Sequence, residues 1–434
     1  MPEQNGAAPH PFRIHNFRAY WLSRLSMTLA QDAMLLIIGW QTYNIARDGG
    51  MTVGEASAQL ALIGLLQFLP LFILTPFTGL AADRLNRKTV ARAMIALQLF
   101  CASILAWFTW QDDMALTVLF GVAILLGVGR AFAGPSLSAL APNLVPRNSL
   151  PTAIALSSIS WQTGRIVGPA IGGYLYAVQP HLSYVAAAGL FSLSFLCLTL
   201  IGHVPRSAIT GAQRPIGQII DGLRYVRHNK VVLGSITLDL FAVFLAGATA
   251  LFPVFARDIL DVGAEGLAQL AAAPAVGATV VGLIFSFRPL STNVGPKMLG
   301  AVAVFAVATI IFGLSKSMPL SLAALFVVGA SDMFSVYIRQ SLIQLHTPDD
   351  KRGRVSAVSL LTISASNEFG DFFSGSLAAI VGPVAAVVLG GAGALGVTAA
   401  YTGLFPQLRR AKSFDPPDDA AMLPANEPRR ETQT

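Results

Sequence analysis

Long apolar runs separated by short polar connections account for most of this chain. Each run is about 20 residues or longer, the length at which a helix crosses the ~30 Å hydrocarbon core of a bilayer. Apolar and polar residues do not alternate within the runs, as they would in the strands of a membrane barrel. The pattern therefore predicts an all-α membrane protein with twelve transmembrane helices, at 17–46, 55–81, 89–110, 115–143, 150–178, 182–203, 231–256, 267–287, 297–315, 319–345, 354–380 and 383–405.

The composition indicates lipid rather than water as the surrounding solvent. Hydrophobic residues make up 54% of the chain and charged residues 12%, whereas a soluble domain carries about 25% charged residues. In water such a chain would expose large apolar patches and aggregate. The composition excludes a soluble enzyme or a nucleic-acid-binding protein, although the net charge is +7.

The 29 Lys and Arg residues are unevenly placed among the runs and their connections. The odd-numbered connections hold only Arg47, Arg257 and Lys316. Four more basic residues lie well inside runs, away from the cytoplasmic ends, at Arg24, Arg130, Arg165 and Arg339. The rest are in the tails and in or beside even-numbered connections. Because basic residues accumulate on the cytoplasmic side, both termini are predicted to be cytoplasmic, in a multi-pass protein of the inner (plasma) membrane without a cleavable signal peptide.

The longest polar stretch lies near the midpoint of the chain. It predicts five regions: a cytoplasmic tail, an N-terminal six-helix bundle, a linker, a C-terminal six-helix bundle and a disordered cytoplasmic tail, at 1–16, 17–204, 205–230, 231–405 and 406–434. In the linker, "PIGQIIDGLRYVRHNK" (215–230) has apolar residues at helical spacing. It predicts an amphipathic helix on the membrane surface or, alternatively, a plain connector.

The two predicted bundles resemble each other in sequence. "AQLA" at 58–61 recurs at 268–271, and "ARD" at 46–48 recurs at 256–258, both at an offset of 210. Further along, an offset of 202 aligns Gly127 with Gly329 and continues through several spans. We infer a duplicated unit and hence two pseudo-symmetric six-helix bundles. Parallel repeats of this kind place a substrate site between them, near the bilayer midplane.

Three motifs occur in order along the first half. The connection "GLAADRLNRK" has the pattern G-x-x-x-D-R-x-x-R-K at Gly79, Asp83, Arg84, Arg87 and Lys88. The fourth run contains R-x-x-x-G at Arg130. The fifth contains G-x-x-x-G-P-x-x-G-G at Gly164, Gly168, Pro169, Gly172 and Gly173. Small residues at such spacing let helices approach closely, so close packing alone is the alternative interpretation of the fifth run.

Together these motifs resemble those of the major facilitator superfamily, and the resemblance covers essentially the whole chain. It implies alternating access, a loop at 79–88 that latches the cytoplasmic ends in the outward-open state, proton coupling near Arg130 and an exporter-type fifth helix. "AQD" (30–32), "GLRYVRHN" (222–229) and "TPDDKRGRVSA" (347–357) resemble the group that includes enterobactin and macrolide exporters. The implied protein is a monomeric antiporter for efflux of a small amphipathic drug or siderophore-like compound. A nutrient importer and a non-transporting scaffold or sensor are the alternatives.

Ionisable residues inside a bilayer are costly and call for a function or a partner. Asp32 and Arg130 lie at similar depth, so we expect Asp32 to carry the coupling proton and Arg130 to tune it. The alternative is a permanent structural ion pair. Asp332, Glu368 and Asp371 form a second acidic group, which is either free for protons or a cationic substrate or neutralised by Arg339 and Arg165. The predicted substrate cavity comprises Gln31, Gln67, Trp161, Gln162, Asp239, Asp332, Asn367, Glu368 and Asp371, with Gln41 and Tyr43 as further polar candidates. For Asp239, a packing contact is the alternative.

Motifs for other chemistry are missing from the sequence. The chain has no G-x-x-x-x-G-K-[ST] for nucleotides and no G-x-S-x-G nucleophile elbow. Its six His residues do not combine with Cys or Glu at metal-ligand spacing, and Cys101 and Cys197 lie inside apolar runs. We therefore expect no cofactor, no metal and no enzymatic activity; the expected partners are a small-molecule substrate, protons and the lipid bilayer.

Overall fold

A computed structural model of the chain describes residues 10–84, 86–202, 215–288 and 290–414. Side chains are not described for 75–85 or for a few further positions. The regular structure of these ranges is helical, and the helices are α1 (His15–Asp48), α2 (Val53–Arg84), α3 (Arg87–Trp110), α4 (Leu116–Leu140), α5 (Leu150–Val178), α6 (Pro180–Leu200), α7 (Pro215–His228), α8 (Lys230–Ala246), α9 (Phe252–Val254), α10 (Gly263–Phe287), α11 (Val294–Leu314), α12 (Met318–Leu345), α13 (Asp349–Val381), α14 (Pro383–Leu404) and α15 (Pro406–Arg409). A 3-10 turn (Thr249–Leu251) and a π-helical turn (Phe255–Ile259) flank α9.

Long apolar helices confirm a multi-pass membrane protein. Within the described ranges, nine segments are long and apolar enough to cross a bilayer: α2, α3, α4, α6, α8 with its continuation to Ile259, α10, α11, α12 and α14. The other long helices, α1, α5 and α13, coincide with the three remaining predicted runs. These three helices are long enough to cross a bilayer but are not apolar enough by the same criterion, because polar residues lower their mean hydropathy.

Helix packing repeats between the two halves of the chain. In the first half, α1 packs on α5 and α6, α2 on α4, and α3 on α4 and α6. In the second half, α8 packs on α13 and α14, α10 on α12, and α11 on α12 and α14. Each of these pairings of the first half thus has its counterpart in the second, as expected for a duplicated unit.

The two halves meet along two helix pairs, α2 with α13 and α5 with α10. Small residues allow this close approach. A Cβ added to Gly173 of α5 would lie 2.6 Å from the Cβ of Ala268 in α10, and one added to Gly375 of α13 would lie 3.0 Å from the Cβ of Ala61 in α2. These contacts occur toward one end of the helices. We call this end, where α1 finishes and α2 begins, the far face, and the opposite end the near face.

An apolar cluster closes the far face. Trp40 of α1 and Leu60 of α2 are buried in it together with residues of the second half. Phe255 of the π-helical turn stacks on Phe312 of α11 with 4.5 Å between ring centroids. Since both halves contribute, water is excluded between them at this end.

Helix α7 confirms the helix predicted in the linker, but it docks on protein along one side. Val226 is 2% exposed and packs in a cluster with residues of α8, α12 and α13. The Tyr225 hydroxyl donates a hydrogen bond to the backbone carbonyl of His346. Ile220 and Leu223, two of the predicted apolar residues, remain exposed on the other side. Their contact with a membrane surface stays a prediction.

The predicted disordered tail begins too early at residue 406. Helix α15 occupies Pro406–Arg409, and Leu408 is fully buried. The backbone N–H groups of Asn293 and Gly295 donate to the carbonyls of Lys412 and Ala411. The sequence did not predict order at 406–414 because these hydrogen bonds join segments that are more than 100 residues apart. The remainder of the tail, 415–434, and the tail residues 1–9 lie outside the described residues.

Replacing Gly173 with Val should separate the halves at the far face. The new side chain cannot fit against Ala268, and overpacking of this kind costs about 1–3 kcal/mol. We expect a lower melting temperature in detergent. Gly189→Val is the matched control, because a Cβ at Gly189 in α6 meets no atom within 4 Å; equal melting temperatures for the two variants would contradict the prediction.

Candidate functional site between the two halves

Six ionisable side chains from both halves interact near the middle of their helices. Asp32 of α1, Arg130 of α4 and Arg165 of α5 come from the first half. The second half contributes Asp332 of α12 and both Glu368 and Asp371 of α13. Electrostatic interactions connect them. Because each charge at this depth costs about 3 kcal/mol or more unless it is compensated, the cluster is the candidate functional site.

An ion pair between Arg130 and Glu368 joins the two halves. The Nη2 of Arg130 lies 2.7 Å from the Oε1 of Glu368. The Nη1 of Arg130 also donates to the Oε1 of Gln67 in α2, at 3.5 Å. The side chains of Arg130 and Glu368 are 27% and 14% exposed, so little water screens their attraction. A link between α4 and α13 therefore crosses the interface at the level of the cluster.

Asp32 is close to this link but does not form the predicted direct pair with Arg130. Among the described residues, the side-chain hydrogen bonds of Arg130 go to Glu368 and Gln67. Asp32 lies within electrostatic range of both Arg165 and Arg130. The hypothesis of a permanent ion pair between the first and fourth helices is therefore wrong for this conformation. Arg130 stays within electrostatic range of Asp32, as the tuning hypothesis requires.

Arg165 is exposed and lies within electrostatic range of carboxylates from both halves. Its guanidinium lies 5.0 Å from the ring centroid of Trp161, one helical turn earlier in α5, which is a favourable cation–π arrangement. It interacts with Asp32 of the first half and with Asp332 of the second. Trp161 and its neighbour Gln162 are exposed, consistent with their predicted position at a cavity.

The formal charges of the cluster are unequal between the halves. The first half contributes one net positive charge and the second half three negative charges, so the fully ionised cluster carries −2. Asp371 is partly satisfied, since it accepts a hydrogen bond from the Thr249 hydroxyl at 3.1 Å. An excess of negative charge in a low-dielectric setting can be relieved by protons or by a bound cation.

Of the two positions that the sequence left open for Asp239, in the cavity or at a packing contact, the structure shows the packing contact. Asp239 forms an ion pair with Arg339 between α8 and α12, and the two side chains are 8% and 3% exposed. Arg339 therefore neutralises Asp239, and the Asp332, Glu368 and Asp371 group is left to Arg130 and Arg165. The sequence could not choose between these pairings because it does not give the rotation of each helix.

Several other predicted cavity residues hold helices together. Gln31 donates a hydrogen bond to Gln98 of α3. Gln41 is 6% exposed and accepts from Tyr184 of α6 at 2.7 Å. Tyr43 lies at the far face, where it donates to Asp258. Asn367 is half-buried beside Glu368, and Gln67, although it contacts Arg130, is 2% exposed.

An aromatic contact beside the cluster escaped the sequence analysis. Phe68 of α2 and Phe369 of α13 lie 4.4 Å apart between ring centroids, and Phe72 packs on both rings. These rings join the halves next to Glu368. No sequence signal distinguished them from other apolar residues in membrane helices.

The glycine motif of α5 packs against two helices. Added Cβ atoms at Gly164, Gly168 and Gly172 would lie 2.6, 2.7 and 2.9 Å from atoms of Thr28, Leu29 and Ala33, respectively, all in α1. Gly173 instead faces α10 of the other half, and Pro169 lies inside the helix. The motif thus holds Asp32 close to α5, since a Cβ at Gly168 would also lie 3.3 Å from the Cβ of Asp32.

The charged connection of the near face is only partly described. Gly79, Asp83 and Arg84 lie in the last turns of α2, but their side chains are outside the described residues. The side chain of Asn86 caps α3 by accepting from the backbone N–H of Lys88. Arg87 donates to the carbonyl of Ala139 in α4, and Lys88 donates to the carbonyl of Ile201 after α6. The connection therefore ties α3 to the near-face ends of its own half.

A duplicated helical membrane fold with a charged cluster between its halves is typical of membrane transporters. The chain matches the family model described as transmembrane secretion effector over residues 7–430. The chain therefore belongs to this family of major facilitator superfamily transporters, and it is not an enzyme.

Similar proteins and structures agree with this assignment. The multidrug efflux pump Tap of Mycolicibacterium fortuitum is 25% identical, over 82% of this chain and 92% of that protein. The enterobactin exporter EntS of Citrobacter koseri is 24% identical, over 95% and 96%. Among solved structures, a D-xylose–proton symporter has a TM-score of 0.70 at 11% identity, over 90% and 98%. An inward-facing, unoccupied bacterial homologue of the lysosomal transporter Spinster has a TM-score of 0.66 at 16% identity, over 93% and 97%.

A double-mutant cycle tests the Arg130–Glu368 bridge. Glu368→Gln leaves the charge of Arg130 without its partner, and Arg130→Gln does the converse. Each variant should lose about 2 kcal/mol of unfolding free energy in detergent, less than the roughly 3–5 kcal/mol typical of a fully buried pair, because Arg130 is partly exposed. The double variant should lose much less than the sum of the two; additive losses would contradict a direct interaction.

Proposed function

We propose that the protein is a proton-coupled exporter of a small amphipathic organic compound. It would work by alternating access, with twelve membrane-spanning helices in two six-helix bundles at 17–204 and 231–405. The observation that carries the proposal is the Arg130–Glu368 ion pair, which joins the halves inside a cluster with excess negative charge. Such a link responds to protonation and also restrains the relative movement of the halves.

Arg130 can serve two carboxylates that belong to different halves. In the conformation described, it bonds Glu368 of the second half and lies within electrostatic range of Asp32 of the first. When a proton binds a carboxylate oxygen of Glu368, the charge attraction across the interface is lost. The guanidinium is then free to turn toward Asp32, and the halves can rock apart. Loss of the proton restores the bridge.

Asp32 is the proposed coupling residue, with Arg130 and Arg165 as its cationic neighbours. Its position against Gly168 of α5 means that movement of α1 on α5 changes its surroundings. A substrate that enters the gap would compete for Arg165 or displace water from Asp32. Proton and substrate would thereby occupy the cluster in turn, which is the basis of antiport.

Three observations support export as the direction of transport. The Lys and Arg distribution favours a cytoplasmic near face, with both termini in the cytoplasm of a cell bounded by this inner membrane. The glycine motif of α5 resembles that of exporters. Two similar proteins bear the names of a multidrug efflux pump and an enterobactin exporter. With the far face closed by its apolar cluster, the conformation described would be ready to load substrate from the cytoplasm.

The side chains around the gap favour an organic substrate with apolar and polar parts. Trp161, Phe68 and Phe369 offer aromatic surfaces, and Gln162 and Asn367 offer amide groups beside the charges. Pockets of this mixed character suit amphipathic molecules. We expect a single chain to contain a complete pathway.

Everted membrane vesicles test both coupling and direction. A panel of dyes, antibiotics and siderophores is screened for accumulation driven by an acidic lumen, with an uncoupler as the reference. In this preparation the cytoplasmic face is outside, so an exporter fills the vesicles. Asp32→Asn should lower gradient-driven accumulation by about tenfold or more, because the coupling carboxylate is gone, while substrate binding in detergent persists.

Asp113→Asn is the matched control, since Asp113 is exposed in the connection between α3 and α4. Undiminished gradient-driven accumulation by Asp32→Asn would refute its coupling role. Accumulation in right-side-out vesicles but not in everted ones would refute export and favour import. Absence of flux for the whole panel, with the protein folded, would favour a scaffold or sensor.

A further inference from the structure

Two copies of the tripeptide Ala-Arg-Asp meet at the far face. Arg47 at the end of α1 pairs with Asp258 of the π-helical turn, with 2.9 Å between Nη2 and Oδ1. Arg257 of that turn pairs with Asp48 at the end of α1, with 2.6 Å between the corresponding atoms. The Arg of each copy therefore binds the Asp of the other.

This reciprocity is what a duplicated fold produces at its symmetry axis. When two equivalent surfaces meet about a two-fold axis, residue i of one contacts residue j of the other, and j contacts i. Here the two surfaces belong to one chain, and the paired residues are 211 and 209 positions apart. The sequence offset related the two tripeptides, but only the fold brings them into contact.

We propose that these two ion pairs form a far-face latch, which stabilises the closed far face and must break before the central gap can open to that side. The latch is defined by Arg47, Asp48, Arg257 and Asp258. All of its bonds join α1 to the segment after α8, hence one half to the other. They cannot persist when the halves separate at this end.

The Arg47–Asp258 pair is the stronger part of the latch. Asp258 also accepts a hydrogen bond from the Tyr43 hydroxyl, and the Nη1 of Arg47 donates to the carbonyl of Met51 at 2.7 Å. Both side chains of the pair are at least half-buried, whereas Asp48 is 70% exposed. Because exposed ion pairs are screened by water and salt, the Arg257–Asp48 pair should contribute less.

The two repeats differ in sequence near the latch, and this explains why the two ion pairs differ in strength. At the same offset of 210, the counterpart of Tyr43 is Pro253, which has no hydroxyl. Asp48 therefore lacks a counterpart of the tyrosine hydrogen bond that Asp258 receives. Arg257 donates to the backbone and side-chain oxygens of Asn44, as Arg47 donates to the carbonyl of Met51. Both pairs are thus reinforced on the base, but only the Arg47–Asp258 pair is also reinforced on the acid.

The latch adds directional bonds to an apolar closure. The cluster beneath it, which includes Trp40 and Phe252, stabilises contact between the halves but specifies its alignment less strictly. Charged hydrogen bonds require matched positions of donors and acceptors. The latch would therefore form only when the two halves are correctly aligned at the far face. Once formed, it would increase the fraction of molecules in which this face is closed.

Electron spin labels can measure the far-face distance directly. The native Cys101 and Cys197 are buried and are replaced with Ser. Labels are placed at Gln111→Cys and Lys316→Cys, two exposed positions at the far-face ends of α3 and α11. A second pair at Asn148→Cys and Leu345→Cys reports the near face. Full-length protein is measured in detergent and in lipid nanodiscs, without any substrate.

Asp258→Asn should increase the far-face-open population by about three- to fivefold, the range expected for losing a partly exposed ion pair. Asp48→Asn should have a smaller effect in the same direction. The charge swap that combines Arg47→Asp with Asp258→Arg should restore much of the closed population. Glu265→Gln, which removes an exposed acid at the far-face start of α10, should leave the distances unchanged.

The near-face labels separate opening from unfolding. In alternating access the near-face distance should shorten as the far-face distance lengthens, whereas an unfolded variant would broaden both. Far-face distances that stay as in the parent protein for Asp258→Asn would overturn the latch. So would a charge swap that opens the far face further than Asp258→Asn does. Neither result depends on transport, so these measurements test the latch independently of the proposed export.

Discussion

Charge neutralisation inside a low-dielectric interior is the constraint on which the rest of this structure depends. Arg130 must find a partner within the membrane, and the partner it binds, Glu368, belongs to the other half of the chain. The bond that satisfies a local electrostatic need therefore also connects the two halves of the chain. Asp32 and Arg165 extend this connection into the first half, so a change in protonation at one carboxylate alters the balance across the whole interface.

Close packing supplies the second requirement, because charges can act on each other only when their helices are held at short range. Gly168 places α1 directly against α5 beside Asp32, and Gly173 places α5 against α10. The same glycine motif thus serves packing within one half and between halves. Close packing of these helices and a function for the charged cluster are compatible, since the cluster forms only where the helices approach closely.

The two ends of the molecule are held by different means. At the near face, Lys88 and Arg87 bind backbone carbonyls within their own half, and the connection at 79–88 resembles a loop that latches this face in the outward-open state. At the far face, the reciprocal Arg and Asp pairs join the halves over an apolar cluster. Alternating access needs such opposed closures, each formed when the other is broken. Solved structures with the same fold share only 11–16% identity with this chain, so the fold alone does not specify these local contacts.

The sequence by itself predicted the long apolar helices, their order and the repeat, because apolar length and residue spacing are properties of consecutive residues. It also singled out the ionisable positions, since any charge in an apolar run is conspicuous. Only the tertiary structure decided which charged residues form ion pairs. Arg130 pairs with Glu368 instead of Asp32, and Arg339 pairs with Asp239. The tertiary structure also decided that the predicted tail is folded at 406–414 and that the two Ala-Arg-Asp copies bind each other. These outcomes depend on the rotation of each helix about its axis and on contacts between residues about 100 to 240 positions apart, which consecutive residues do not encode.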